Sequence, residues 1–274
     1  MKIKIAVVQF ETKQHDADHN IARAERFIAA AAKKKANLVV FPEDFILGPI
    51  PLSQELADSD FKYISIFQQF AKNYGIDIVP GSIIERDKLG MFNVVYYIDS
   101  RGEVKARYKK VNLWHPERNY LNPGNKVCVF HTRFGRIGLA NCWDLAFPEF
   151  FRKMTIRGVN IVICPSWWCT KDAGRIGVRY NPTSEQVFVD ACCTARAFEN
   201  EIVVVYCNAA GRMEIGKYSD DLIGHSQVCV PFKGPIKKLN HNKEEMFIQE
   251  LDTSLLKDAE KVYKIRADLR KRAV

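Results

Sequence analysis

The sequence predicts a layered α/β protein, built on a mixed sheet or on two packed sheets with helices outside. Three observations lead there. Short runs rich in Val and Ile, bounded by Gly, Pro, Asn or charged clusters, recur as buried strands. Helical patterns alternate with some of them. Asn93–Asp99 and Glu103–Tyr108 flank Ser100-Arg101-Gly102 as a hairpin, which a purely doubly wound sheet would not contain.

In chain order the strands are expected at Lys4–Phe10, Asn37–Phe41, Ile76–Ser82, Val94–Asp99, Arg136–Asn141, Ile161–Pro165 and Ile202–Asn208. Helices are expected at Asn20–Lys35, Asp60–Tyr74, Pro148–Arg157 and Ser184–Asn200. The first of these places Ile21, Ala24, Phe27, Ile28 and Ala31 on one stripe, with lysines in its last turn where they complement the helix dipole. No internal repeat, low-complexity stretch or linker interrupts the chain, so one domain over residues 1–274 is expected.

Hydrophobic residues make up 47% and charged residues 27% of the chain, which is ordinary for a soluble globular protein. The N-terminal MKIKIAVVQF lacks the apolar core and small-residue cleavage site of a secretory signal, and no apolar run is long enough to span a bilayer. A cytoplasmic protein is the expectation, with no membrane partner. The net charge of +9 is spread along the sequence and is dense only in KIRADLRKR, whose helical spacing and interleaved acids suit a solvated helix or an oligomer contact. No recognition motif accompanies it, so no nucleic-acid partner is expected. Eight cysteines occur without Cys-x-x-Cys, and Cys192–Cys193 has no partner pair at metal-ligand spacing, so buried free thiols are expected and no metal site.

Three segments end an apolar strand with a reactive side chain, where α/β proteins tend to place chemistry. Leu38–Phe41 leads through Pro42 to Glu43, either a desolvated general base or a helix-capping loop charge. Tyr108–Trp114 carries Lys110, either a fixed cation for an oxyanion or ordinary surface charge. Gly138–Asn141 leads to Cys142 and a bend before Pro148, so the thiol is either an exposed nucleophile flanked by backbone N–H groups or a structural cysteine. Proximity to a lysine is expected to lower its pKa and favour the thiolate.

Together these segments resemble the nitrilase, or carbon–nitrogen hydrolase, superfamily over nearly the whole chain. Its Glu–Lys–Cys triad falls on Glu43 in FPEDF, Lys110 in KVNL and Cys142 in NCWDLAFPE, and its second glutamate on Glu117 in ERNYLNPG. PSW at 165–167, ARAFEN at 195–200, NAAG at 208–211, GHS at 224–226 and IQELD at 248–252 follow in the family's order. The resemblance implies an α/β fold of the αββα four-layer type, two mixed sheets flanked by helices, paired through helices as a homodimer or larger homo-oligomer. It also implies a cysteine-dependent cleavage of a non-peptide C–N bond through a covalent thioester, with no cofactor and a small-molecule amide, carbamoyl or nitrile substrate. In that scheme Trp143 lends its backbone N–H to the oxyanion, and Glu117 positions Lys110, Glu43 or the substrate.

The chain departs from the pattern at Asn112, where many relatives have histidine, and at Pro49-Ile50, which replaces a common aromatic; both are expected to bear on pocket shape. Asp144 after Cys142-Trp143 resembles the amidase and carbamoyl-amidase branches, whereas nitrilases proper usually carry Glu there. An amide or N-carbamoyl substrate is therefore favoured over a nitrile. The loop WWCTKDAGRIGVRYNPT at 167–183 is expected to wall the pocket, with Trp167 and Trp168 as aromatic lining or core, and Arg175 or Arg179 as partner for a substrate carboxylate or as exposed charge. Phe45 and Phe147 carry the same choice between lining and core, with core packing favoured for Phe147. The competing classes are a nitrilase, a silent scaffold, an acyltransferase and a Cys–His hydrolase. Retention of Glu43, Lys110, Glu117 and Cys142 argues against the scaffold. The absence of a spanning segment argues against the membrane-embedded acyltransferases, and no histidine lies in a comparable strand-end motif.

Overall fold

The computed structural model describes residues 2–272. The strands are β1 (Lys2–Gln9), β2 (Leu38–Val40), β3 (Asp77–Val79), β4 (Ser82–Asp87), β5 (Gly90–Ile98), β6 (Val104–Lys109), β7 (Cys128–Thr132), β8 (Gly135–Leu139), β9 (Ile161–Ser166), β10 (Val203–Asn208), β11 (Arg212–Ile215), β12 (Tyr218–Asp221), β13 (Gln227–Val230), β14 (Gly234–Lys238) and β15 (Glu245–Asp252). The helices are α1 (Ala17–Lys33), α2 (Lys62–Tyr74), α3 (Pro148–Ile156), α4 (Gly174–Tyr180), α5 (Ser184–Asn200), α6 (Leu255–Tyr263) and α7 (Ile265–Arg272).

One sheet runs β15-β1-β2-β3-β5-β4 with β6 on β5, and the other runs β14-β13-β10-β9-β8-β7. Both are mixed. The parallel pairs are β1–β2, β2–β3, β8–β9 and β9–β10, while the hairpins β4–β5, β5–β6, β7–β8 and β13–β14 are antiparallel.

Period-two alternation sorts side chains between layers. On β1, Ile3, Ile5 and Val7 join Leu38, Val40, Ile137, Leu139, Ile161 and Ile163 in the core between the sheets. Ala6, Val8 and Phe10 point the other way, into a second core with Ile21, Ala24 and Ile28 of α1 and Ile64 and Phe67 of α2. Phe151, Met154, Val189 and Ala197 bring α3 and α5 onto the outer face of the second sheet. The layers are therefore α, β, β, α, as expected. Because central strands such as Leu38–Val40 and Ile161–Ser166 are buried on both faces, they read as continuous apolar runs.

Several boundaries differ from the sequence reading. Helix α1 begins at Ala17 because Asp16 caps it, accepting from His19 N at 3.1 Å. Helix α2 begins at Lys62, where Asp58 accepts from the N–H groups of Lys62 and Tyr63 at 3.2 and 3.1 Å. The strand expected over 76–82 breaks into β3 and β4 at Pro80-Gly81. Gly81 has φ +61°, and a Cβ there would lie 1.8 Å from the Pro42 carbonyl oxygen. Only glycine lets the chain cross so close to the segment that presents Glu43. Strands β7 and β11 to β15 lie outside the strands read from sequence. Strands β14 and β15 are partly exposed and carry Lys and Glu, which dilutes the alternation.

Candidate active site

Glu43 follows β2, Lys110 follows β6, Glu117 opens a single turn at Glu117–Asn119, and Cys142 follows β8. The structure brings all four together at one end of the sheets. Lys110 Nζ lies 2.8 Å from Glu43 Oε1 and 2.8 Å from Glu117 Oε2. Its side chain is 1% exposed, so the two carboxylates stand in for water. An ammonium has three N–H groups. Two serve Glu43 and Glu117, which leaves one for a third acceptor.

Each member is held from several sides. Glu43 accepts from Asn93 Nδ2 at 2.9 Å and from Trp167 N at 2.9 Å, in addition to Lys110. Glu117 accepts from Trp114 N at 2.7 Å. Asn93 also reaches Glu117 Oε1 at 3.3 Å, and its own oxygen accepts from Asn141 Nδ2 at 3.0 Å, which fixes its amide with the NH2 toward the carboxylates. Cys142 has φ +46°, a left-handed conformation that costs a non-glycine residue energy and turns the chain sharply after β8. It starts the short helix Cys142–Ala146, and it lines the same cavity as the Glu43 carboxylate.

Asp144 ties this bend to the lysine segment. Its carboxylate accepts from Tyr108 Oη at 2.5 Å, Asn141 N at 2.9 Å, and Asn112 N and Nδ2 at 2.9 Å each. Asn112 thus shapes the support beneath the site and is not in the cavity wall, contrary to the expectation that it bears on pocket shape. Pro49 does line the cavity.

Burial dominates the electrostatics. It pushes the Glu43 carboxyl up from its ordinary value, against the charge of Lys110. Burial also pushes Lys110 down, but the charges of Glu117, Glu43 and Cys142 outweigh it and hold the ammonium well above its usual range. Cys142 corrects an expectation. Burial and the carboxylates of Glu43 and Glu117 outweigh Lys110, so the thiol is raised well above its ordinary value, not lowered. Cys142 is thus held toward its thiol form, with the Glu43 carboxylate among the charges that act on it. Asp44, next to Glu43, is also raised well above the carboxylate range by burial and by the charges of Glu43 and Glu117.

These groups open into a cavity of about 420 Å³ walled by Trp114, Trp143, Trp167, Trp168, Met213 and Tyr218. Trp143 stacks edge-on against Trp114 at 4.4 Å and tilts against Trp168 at 5.4 Å. Phe45 packs in the core against Phe10, Phe41 and Phe67 instead of lining the cavity. Phe147 also stays out of the cavity wall, packing at 6.2 Å against Trp143. The expectation for Arg175 fails: it is exposed on α4 and outside the cavity wall, as is Arg179. From that loop the cavity receives Lys171 and Asp172. The sequence reading missed Asn93, Asn141 and Asp172. An asparagine in the middle of the apolar strand MFNVVYY was the one available signal for Asn93, since a buried polar side chain needs a partner.

Residues 4–261 match the carbon-nitrogen hydrolase family model, and the chain belongs to that family. It is 30% identical to a probable nitrilase of Schizosaccharomyces pombe, with 96% of this chain and 93% of that one covered. It is 27% identical to a 2-oxoglutaramate amidase of Bacillus subtilis, with 99% of each covered. Among solved structures it is similar to Saccharomyces cerevisiae Nit3, a member of branch 10 of the nitrilase superfamily. There the identity is 25%, the coverage 95% of this chain and 93% of that one, and the TM-score 0.79. A variant of an amidase from Nesterenkonia sp. AN1, with acrylamide added to its active-site cysteine, is 25% identical at a TM-score of 0.76, covering 99% of this chain and all of that one. The protein is a carbon–nitrogen hydrolase acting on bonds other than peptide bonds, and among the described residues no helix is long and apolar enough to cross a membrane.

Proposed function

We propose that the protein hydrolyses a small amide or N-carbamoyl compound through a thioester on Cys142. The observation that carries this is the convergence of Cys142, Glu43, Lys110 and Glu117 on one cavity, with Lys110 Nζ 2.8 Å from Glu43 Oε1 and the buried Cys142 thiol raised well above its ordinary value. As the sulfur attacks the carbonyl carbon, Glu43 takes the thiol proton and the π electrons move to oxygen. The remaining N–H of Lys110 and the backbone N–H of Trp143 stabilise that oxyanion. Collapse breaks the C–N bond, and Glu43 returns its proton to the departing ammonia or amine. Water, deprotonated by the same carboxylate, attacks the thioester carbon, and the acid leaves as the thiol regains a proton.

Asp144 after Trp143 and the likeness to a 2-oxoglutaramate amidase support an amide over a nitrile. A homodimer is part of this reading. Ile176 and Tyr180 on α4 and Val187 and Phe188 on α5 leave apolar surface exposed for a second copy. Eight free thiols, seven of them buried, support a cytoplasmic setting. The test is intact-mass spectrometry after brief incubation with matched amides, N-carbamoyl compounds and nitriles, with ammonia release followed in parallel. An acyl adduct and ammonia are expected from wild type and neither from Cys142→Ala. An adduct that persists in Cys142→Ala would sink the assignment, and product from nitriles alone would replace the amidase with a nitrilase.

A further inference from the structure

Away from the catalytic centre the cavity wall carries Lys171, His115 and Asp172. Lys110 is paired with Glu43 and Glu117, no arginine lines the wall, and Lys171 is 54% exposed and lies 3.8 Å from Asp220. Asp172 sits in the same wall as Trp167, Trp168 and Tyr218. Its Oδ2 accepts the Cys169 N–H at 2.8 Å, and among the described residues no cation is paired with it. The loop that presents it is fastened to the β11–β12 hairpin. Thr170 N donates to Asp221 O at 2.9 Å, Thr170 Oγ1 to Asp220 at 2.6 Å and Lys171 N to Asp220 at 2.8 Å. Asp220 is thereby satisfied by these two neutral donors and a lysine, with Asp221 N at 2.8 Å and Tyr218 Oη at 3.1 Å adding a third and a fourth. Asp172 is left as a fixed carboxylate facing aromatic walls, an arrangement that suits an organic ammonium through charge and through the ring faces.

We propose that Asp172 is a specificity residue that receives a terminal ammonium group of the substrate, so that the preferred amides or carbamoyl compounds carry an amine at the end remote from the scissile bond. This rests on the amidase reading for the catalytic end of the cavity. It runs opposite to recognition of a substrate carboxylate by Arg175, which the structure leaves outside. The electrostatics agree: burial, with the carboxylates of Glu185, Asp220 and Glu43 around it, pushes the Asp172 carboxyl up to about 7 despite the Cys169 N–H. A bound ammonium relieves that repulsion, so binding strengthens as pH rises through about 7.

Binding is read separately from turnover. Cys142→Ala is titrated calorimetrically at pH 8 with 4-aminobutanamide, pentanamide and succinamate, three chains of similar length carrying a positive, neutral or negative end. The ammonium amide is expected to bind about tenfold more tightly than the neutral one, with succinamate weakest, and the order to vanish in Cys142→Ala/Asp172→Asn. The three ligands on the single variant decide the matter even where the double variant does not fold. Equal affinities, or a preference for succinamate, would overturn the proposal. So would stoichiometric binding of Zn²⁺ that depends on Asp172 and comes without any ammonium preference, because Cys169, Asp172 and Asp220 place ligand atoms within 4.8 Å of one another. Ammonia release by wild type without an ammonium preference sinks the Asp172 subsite alone. An ammonium preference with no ammonia release from any amide sinks the hydrolase reading and keeps the subsite.

Discussion

Replacing Asp144 by asparagine keeps its shape and turns one carboxylate oxygen into an NH2. That oxygen cannot be chosen without loss. An NH2 at the Oδ2 position faces Asn141 N–H, and one at the Oδ1 position faces both donors of Asn112. The Tyr108 hydroxyl can rotate, although it already accepts from Val111 N at 3.0 Å, but a main-chain N–H cannot. At least one buried backbone donor is therefore stranded, at about 1–3 kcal/mol, and one or two charge-assisted bonds of about 1.5–3 kcal/mol each weaken. Against this, burial pushes the Asp144 carboxyl up, so removing its charge returns part of a desolvation cost. The net expected loss is about 3 kcal/mol, a large share of the roughly 5–15 kcal/mol that holds a typical domain together. Urea unfolding measures it as a lower midpoint at unchanged slope. The rate of ammonia release is expected to fall with it, because this carboxylate joins the Lys110 segment to the Cys142 bend. A loss below about 1 kcal/mol with undiminished turnover would refute the reasoning.

Two further perturbations separate the parts of the site. A Cβ at Gly124 would lie 2.2 Å from Lys109 O, while Gly124 N donates to Lys110 O at 2.7 Å. Gly124→Ala must therefore shift the lysine segment by about 1 Å, and kcat/KM is expected to drop about a hundredfold. A value within twofold of wild type would show that the turn does not set the lysine's position. Asn93→Asp places a third carboxylate against Glu43 and Glu117 and removes a donor at 2.9 Å. Glu43 must be ionised to take the thiol proton, and a like charge raises its pKa further. Activity is then lost earlier as pH falls, and the acid limb of the kcat/KM profile moves up by about one pH unit. An unmoved limb would exclude Glu43 as the titrating base.

The convergence of Glu43, Lys110 and Cys142 was legible because each follows a strand whose apolar run is itself readable, and strand ends converge in this architecture; Glu117 was reached only through the family resemblance. The layers were legible for the same reason. Asn93 was not, since an amide inside a strand acquires meaning only when Glu43, Glu117 and Asn141, far away in sequence, arrive around it. The acidity of Cys142 was misread because proximity to Lys110 is only one contribution; the burial and carboxylates that outweigh it exist only in the packed molecule. The side chains that the loop after β9 turns inward depend on its attachment to β11–β12, some 50 residues onward, which brings Asp172 to the wall and leaves Arg175 outside.

Glu43 and Lys110 hang from one sheet and Cys142 from the other. Cys207 on β10 bridges the same divide, its thiol reaching Val8 O at 3.2 Å and Val40 O at 3.5 Å. Chemical competence is thus a property of the docked pair of sheets. In a chain whose sheets have parted, Cys142 is an ordinary solvated cysteine away from Glu43 and Lys110. In the newly made polypeptide Cys142 meets Glu43 and Lys110 only once long-range contacts between the two sheets have closed, and any excursion that separates the layers parts the thiol from them again.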